Sequence, residues 1–597
     1  MGARSFQTMV PMRDGTRLNT FVFLPDEGGP RWPVILHRTP YGIAAADAPH
    51  KFDHTRAWLP NPAEPMRGSI LRGWQNIVAR GYAAIYQDCR GRHGSEGEDR
   101  VYADDAADGY DTLEWIAGQS WTNHRVGMSG SSAGATTTFA AASTRHPSLR
   151  AFFAQAGGSS IYDDVIYEGQ AIEMERLWLW VAKNIPGLST SHREAVLARF
   201  GIGAGELDRA AASAAERYTR LDAARQESPP FINSADWLRL PLTGYPDFAV
   251  WQPFLDEIIS HPAPDAFRAR HNFRRTIDIP GFHVTSWFDI FQTSVIAAFQ
   301  DIQARTGTQR LWVGPNEHYF VYASNFWPRD PYFEWFGYWL KDEPSALIAE
   351  PAVYYSPRAW VEDRTSYAPT DWRRSERWPP PGTAPRRLYL CDDGSLADAP
   401  AGGPLRYRYD PRHPIPSLGG RNMLIDAGPR DQRPAQSLPD YGLIYHGPVL
   451  DTDMTIAGNV RVTLHAGSDC PDTDFVVKLI EVLPDGQAML LMDGVMRAMY
   501  RDPTAGAQTL VPEQIYPLAI DLGDIHHTLR AGSRIELDVT SSNFPRRARN
   551  TNSGNPIVAN DGEADIRVAI NTVYHAPATQ SFLELPVLGP WRTGLCT

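Results

Sequence analysis

Ser132 is the residue best placed to do covalent chemistry. It stands in Gly130-Ser131-Ser132-Ala133-Gly134. A short β-prone stretch, Arg125-Val126-Gly127-Met128-Ser129, precedes this run, and a helix-compatible one, Ala135-Thr136-Thr137-Thr138-Phe139-Ala140-Ala141-Ala142, follows it. G-x-S-x-G between strand and helix is the pattern of a nucleophile elbow, a turn so tight that only small residues fit beside the serine. Such a turn lifts the Ser132 Oγ clear of the sheet and aims a helix N-terminus at a developing oxyanion. A small-residue turn that merely contains serines is spelled the same way, so context must decide.

A serine nucleophile needs a base to take its proton, and the base needs an acid to orient it. In α/β-hydrolases these follow in the order Ser, Asp or Glu, then His. Asp289, in Ser286-Trp287-Phe288-Asp289-Ile290, follows a strand-like run, and His318, in Gly314-Pro315-Asn316-Glu317-His318, follows the next one. Both positions reach a serine from neighbouring loops. The chain has 17 histidines, and most read as surface or core residues. His283 lies inside a strand, and His124 precedes the elbow strand on the wrong end of the sheet. Glu317 is an alternative acid, but a residue next to the base cannot easily turn back to its Nδ1.

These side chains need a frame, and 597 residues are too many for one core. Pro33–Arg38 and Gly81–Asp88 read as buried strands, and Asp105–Gly118 as an amphipathic helix carrying Tyr110, Leu113, Trp115 and Ile116. Strands alternating with helices imply a parallel sheet covered on both faces. The rhythm breaks over 161–271, an aromatic, helix-rich stretch with Met174, Leu177, Trp178, Leu179, Trp180 and Val181, read as a cap over the site rather than an unrelated helical domain. It resumes at Pro280–Thr285 and Arg310–Gly314. Trp378-Pro379-Pro380-Pro381-Gly382 is a rigid linker. Beyond it, short β runs such as Val460–Leu464, Asp474–Ile480 and Arg534–Val539 indicate a β-sandwich of jelly-roll type. The expected architecture is an α/β-hydrolase core in two parts, 1–160 and 272–380, a helical cap at 161–271, and a jelly roll at 381–597.

Bulk properties exclude other classes. A net charge of −12 argues against nucleic-acid binding. Four cysteines, Cys89, Cys391, Cys470 and Cys596, are scattered without a C-x-x-C pair, so neither a disulfide framework nor a zinc site is expected. No metal or organic cofactor is required. The N-terminal residues lack an apolar signal core and no run is long enough to span a membrane, which makes a cytoplasmic location the expectation.

Several blocks also carry a family resemblance. They are Arg38-Thr39-Pro40-Tyr41, the segment Gln87–Glu98, the elbow, Trp287-Phe288-Asp289, and Gly314-Pro315 with His318. Gly428–Pro434, Asp472–Phe475 and Ser541–Arg546 extend it into the last domain. The chain resembles the family of serine hydrolases that holds cocaine esterase, X-Pro dipeptidyl-peptidases, α-amino-acid ester hydrolases and glutaryl-cephalosporin acylases. The resemblance implies that the Tyr41 hydroxyl serves the oxyanion hole, where the residues alone suggest an N–H from that loop. The second donor is the N–H of Ala133. The resemblance also implies that Phe291, with Trp287, lines the substrate pocket, and that the chain assembles as a homodimer or homotetramer. The Asp88–Glu98 block reads as architecture, with Arg90 tying loops together.

Members commonly carry tyrosine where this chain has Ala133 and glycine where it has Ala135, so space opens beside Ser132. The acidic cluster that holds a substrate ammonium in the α-amino-ester hydrolases is not identifiable here. Expected, then, is a serine hydrolase cleaving small-molecule esters, or amides, through an acyl-enzyme. An X-Pro dipeptidyl-peptidase and a β-lactam side-chain acylase are the alternatives within the class. An inactive hydrolase-fold binding protein is the alternative outside it.

Overall fold

The computed structural model describes residues 3–27, 29, 31–43, 73–224, 235–244, 249, 251–318, 331–357, 372–423 and 427–589. The first half builds a ten-stranded sheet. In chain order its leading elements are β1 (Ala3–Pro11), β2 (Arg17–Pro25), β3 (Trp32–Thr39), α1 (Trp74–Val78), β4 (Ala83–Asp88), α2 (Asp105–Ala117), β5 (Thr122–Ser131), α3 (Ala133–Ala142) and β6 (Leu149–Gln155). An inserted region follows, with the hairpin β7 (Tyr167–Glu168) and β8 (Ala171–Ile172), then α4 (Met174–Asn184), α5 (Thr190–Phe200), α6 (Ala204–Ala224), α7 (Ala235–Leu238), α8 (Gln252–Ile259) and α9 (Ala266–Ala269). The sheet resumes with β9 (Gly281–Phe288), α10 (Gln292–Thr306), β10 (Gln309–Glu317), α11 (Tyr332–Lys341), β11 (Val353–Tyr355) and β12 (Arg373–Ser375). The spatial order is β1-β2-β4-β3-β5-β6-β9-β10-β11-β12.

The middle of this sheet is parallel, as expected, from β4 through β11. Its edges are not. The β1–β2, β2–β4 and β11–β12 pairs are antiparallel, so the sheet is mixed. The N-terminal hairpin turns at Asp14-Gly15, where Gly15 takes φ 86°, a conformation glycine adopts without strain. β3, β4 and β9 are buried at every position, because helices cover both faces. Successive strand residues divide between those faces. Val34, Leu36, Met128 and Phe152 pack in the core with α2, α3 and α10. Ile35, Tyr86, Phe153 and Trp312 pack with α1 and α11. Leu177, Trp178 and Val181 of α4 belong to the same apolar core as Phe291 and Val295, so the inserted helices share the hydrolase core.

The second half holds β13 (Thr383–Leu390), β14 (Leu396–Ala397), β15 (Leu405–Tyr409), β16 (Leu443–Val449), β17 (Met454–Ser468), β18 (Asp474–Val482), β19 (Ala488–Arg497), β20 (Tyr516–Leu529), β21 (Arg534–Thr540), β22 (Ala569–Tyr574) and β23 (Phe582–Leu588). One sheet runs β14-β13-β23-β17-β22-β15 with β20 on β17, the other β16-β21-β18-β19. Val462 and Leu464 of the first sheet meet Phe475, Val477 and Leu537 of the second in one core. This is the expected β-sandwich. The change of sheet, from β12 to β13, falls at the Pro-rich linker.

β18 is buried at eight of its nine positions, which a sheet with one wet face would not show. Its outer face is covered in part by the inserted region, where Ala171 packs on Val476 and Val495, and in part by Gln432 and Tyr441, which meet Lys478. Beside that contact lies a buried ion network. Glu168 accepts from Arg546 and Arg421 at 3.0 Å each and is ion-paired with Arg547 at 2.8 Å. Asp493 accepts from Arg546 at 2.5 Å and Arg547 at 2.7 Å. Glu173 lies 3.2 Å from Arg547. Burial alone would raise the Glu168 carboxyl, but the Arg547, Arg421 and Arg546 guanidiniums outweigh it and hold the group well below its ordinary value of 4.5.

A depressed folded-state value means that the stability from Glu168 is present above the unfolded value and lost as pH falls through the folded one. Glu168→Gln is therefore expected to destabilise the protein at neutral pH by about 1–3 kcal/mol, since Glu168 is partly exposed and Asp493 still pairs with Arg546 and Arg547. The gap between wild type and variant should narrow below about pH 4.5. Thermal unfolding of both across that range checks this, and a gap independent of pH would contradict it.

Candidate active site

The elbow is built by exclusion of volume. Ser132 sits at φ 54°, ψ −123° between β5 and α3, a backbone region costly for any residue with a Cβ. A Cβ on Gly130 would lie 1.9 Å from the Gly134 carbonyl oxygen. One on Gly157 would lie 2.4 Å from the Ala135 Cβ and 2.8 Å from the Ser132 carbonyl oxygen. Gly134 has more room, with the Arg38 carbonyl oxygen at 3.3 Å. The Ser132 N–H donates to the Gln155 carbonyl at 3.0 Å, and its own carbonyl accepts from Ala135 and Thr136.

Ser132, Asp289 and His318 meet at the carboxyl ends of β5, β9 and β10. Ser132 Oγ is 3.2 Å from His318 Nε2. His318 Nδ1 is 2.6 Å from Asp289 Oδ1. The Asp289 side chain is fully buried. Its Oδ2 accepts from the Thr285 hydroxyl at 2.7 Å, and its Oδ1 also accepts from the Phe291 N–H at 3.3 Å. A carboxylate so fixed makes Nδ1 the protonated nitrogen of His318 and leaves Nε2 to accept the serine proton.

Tyr41 closes the other side. Its Oη donates to Ser132 Oγ at 3.3 Å and accepts from the Trp180 indole N–H at 3.3 Å. The loop carrying Tyr41 is pinned twice. The Tyr41 N–H donates to Thr39 Oγ1 at 3.1 Å, and the Ile43 N–H to Asp88 Oδ1 at 3.0 Å. Burial pushes the Asp88 carboxyl up to about 7, opposed by the N–H donors of Asn19, Gly94 and Ile43. Ala133 opens α3, so its N–H is among those a helix leaves without an intrahelical partner.

The remaining sequence expectations find distinct places. Arg90 ties Asp108 to Asp14 and Thr16. His283 bonds Gln309 at 2.9 Å, and burial pulls it down to about 4. His124 lies within β5 rather than before it, still at the end remote from Ser132. The carboxylate of Glu317 packs against Gly428, whose Cβ would meet Oε1 at 2.4 Å, while Asp289 takes His318 Nδ1. The Phe291 ring stands 5.6 Å from the His318 ring, nearly perpendicular to it. The Trp287 indole N–H donates to the Ser356 carbonyl at 2.7 Å, and the Trp287 ring packs on Trp378 at 5.4 Å. Sequence reasoning placed Trp180 in the cap without a role and did not single out Arg176. Both lie four apart on α4, hence on one face. Trp180 meets Tyr41, and the Arg176 guanidinium lies 5.4 Å over Phe291. Among the described residues no group of three or more His, Cys, Asp or Glu could hold a metal ion, and no helix is long and apolar enough to cross a membrane.

Residues 14–320 match the X-Pro dipeptidyl-peptidase (S15 family) description, and residues 352–584 match the X-Pro dipeptidyl-peptidase C-terminal non-catalytic domain. The chain belongs to the S15 family. This S15 member is 31% identical to cocaine esterase of Rhodococcus sp. (strain MB1 Bresler), over 97% of this chain and 98% of that one. It is 24% identical to a putative serine esterase of Mycobacterium bovis, over 91% of each chain. An α-amino-acid ester hydrolase superposes with a TM-score of 0.73 at 23% identity, covering 98% of this chain and 96% of that one. An aminopeptidase from a Thaumarchaeota archaeon gives 0.71 at 23% identity, covering 98% and 97%. These two show the shared fold. The S15 member is a serine hydrolase, and ester cleavage is the activity its relatives support.

Gly130→Ala tests the elbow. Backbone atoms meet the new Cβ on the helix side, so no side-chain movement relieves the clash. Hydrolysis is expected to fall about 10²-fold or more, with a lowered unfolding temperature. Retention of full activity would mean that the turn is not the constraint described.

Proposed function

We propose that Ser132, His318 and Asp289 are the catalytic triad, and that the Tyr41 hydroxyl and Ala133 N–H form the oxyanion hole. The hydrogen-bonded series from Asp289 through His318 and Ser132 to Tyr41, with steps of 2.6, 3.2 and 3.3 Å, carries this assignment. His318 Nε2 takes the Ser132 proton as Oγ attacks the ester carbonyl carbon. Asp289 stabilises the imidazolium so formed. The tetrahedral oxyanion receives the Tyr41 O–H and the Ala133 N–H. The bond to the leaving oxygen breaks, His318 returns its proton to that oxygen, and an alcohol departs. Water then attacks the acyl-enzyme with His318 as base, and the free acid leaves with Ser132 restored.

We read the substrate as a small-molecule carboxylic ester whose acyl group carries no ammonium. Arg176 supports this, since the charged group over Phe291 is a guanidinium rather than a carboxylate that would hold the amino terminus of an X-Pro peptide. Ala133 leaves room for a bulky acyl group. The family resemblance supports a homodimer or homotetramer, and light scattering reads the assembly directly.

Ser132→Ala should abolish turnover. Asp289→Asn should lower kcat about 10⁴-fold, and Tyr41→Phe about 10²–10³-fold. The assay offers one set of acyl groups both as p-nitrophenyl esters and as p-nitroanilides, Gly-Pro among them. Ester turnover with inert anilides is expected. Efficient release from the Gly-Pro anilide would make the chain a dipeptidyl-peptidase instead.

A further inference from the structure

We infer that Trp180, on helix α4, is a positioning residue that fixes the direction of the Tyr41 hydroxyl proton. A phenol has one O–H to give and can also accept. The Trp180 indole has only a donor, and at 3.3 Å it occupies the acceptor side of Tyr41 Oη. The phenolic proton then points the other way, toward Ser132 Oγ at 3.3 Å. Ser132 in turn gives its proton to His318. Every donor in the series therefore faces the same direction, from Trp180 to Tyr41, to Ser132, to His318, to Asp289. When Oγ has attacked, the Tyr41 proton is already turned to the site where the oxyanion forms. Hydrogen bonds in such a series strengthen one another, so the Trp180 bond makes Tyr41 a better donor.

The indole is held for this task by more than packing. Trp251 stacks on it at 5.7 Å with the planes 11° apart. The Arg92 guanidinium lies 4.4 Å from the Trp251 ring centre and 5.4 Å from that of Trp180. Arg92 is itself buried, ion-paired to Asp99 at 2.5 Å and donating to the Asn184 carbonyl at 2.8 Å. A cation beside an indole face draws on its π electrons and sharpens the N–H as a donor. The Gln87–Glu98 block thus reaches the reacting centre through Arg92 and Trp180, although none of its own side chains touches Ser132 in the contacts described.

The inference rests on Tyr41 being the oxyanion donor, so the test must separate the two. Esterase kcat and KM are measured for wild type, Trp180→Phe, Tyr41→Phe and the double variant. Trp180→Phe keeps a stacking ring and removes the N–H. It is expected to lower kcat about threefold to tenfold, the worth of one hydrogen bond, with a smaller change in KM. In the Tyr41→Phe background it should lower kcat no further. An equal loss in both backgrounds would show that the ring acts by packing and would overturn the inference. So would wild-type kcat in Trp180→Phe when Tyr41→Phe is crippled. Wild-type kcat in Tyr41→Phe would instead remove the oxyanion assignment, and this inference with it. Circular dichroism checks folding. If Trp180→Phe unfolds, Trp180→Leu, which also lacks the N–H, is taken through the same cycle with the same outcomes.

Discussion

The strained backbone of Ser132 is the constraint on which the rest of the structure depends. A residue at φ 54° persists only where its surroundings leave no alternative. Here glycines at 130 and 157 let backbone pass where no side chain fits, and β6 fixes the serine amide through Gln155. The turn sets the height of Oγ above the sheet. From that height the carboxyl ends of β9 and β10 are the places from which an acid and a base reach it. The order of strands β5-β6-β9-β10 is therefore part of the chemistry. Two parallel neighbours deliver Asp289 and His318, and β3 on the other side delivers the loop with Tyr41.

The second constraint is electrostatic. Charges buried between the inserted region and the sandwich are matched arginine for carboxylate, and each would be costly alone. Glu168 and Glu173 come from the inserted region, Asp493 and the arginines from the sandwich half. Neither half is neutral at this surface by itself. The network sits beside α4, the helix that carries Arg176 and Trp180 to the site. The sandwich thus fixes the roof over Ser132 without contributing a group to the Ser132, His318 and Asp289 series.

How much of this was legible in the sequence depended on the kind of signal. Strands buried on both faces are short apolar runs, and β3, β4, β9 and β10 were readable for that reason. The edge hairpin β1–β2, with β1 largely exposed, was missed, although Asp14-Gly15 is a turn signal. Asp289 and His318 were legible because their chain order and their places after strands follow from the mechanism. Trp287 was put in the pocket by the family resemblance alone, and in the structure its indole N–H meets the Ser356 carbonyl and its ring packs on Trp378. Trp180 was visible as one apolar member of a helix. Periodicity says that such a residue is buried and says nothing about what its N–H meets. The ion network was invisible, because arginines and glutamates far apart in sequence read as surface charge until the fold brings them together.

The hairpin β7–β8 has a further consequence. Its Gly169 takes φ 53°, and a Cβ there would lie 1.8 Å from the Val495 carbonyl oxygen. The tip is thus docked directly on the backbone of β19. A roof anchored this way cannot hinge open as a rigid lid without tearing charge pairs from the sandwich. Selectivity in such an enzyme resides in a mould of fixed shape. A new substrate is then accommodated by recutting side chains such as Ala133 and Phe291, and not by loosening the joint between the halves.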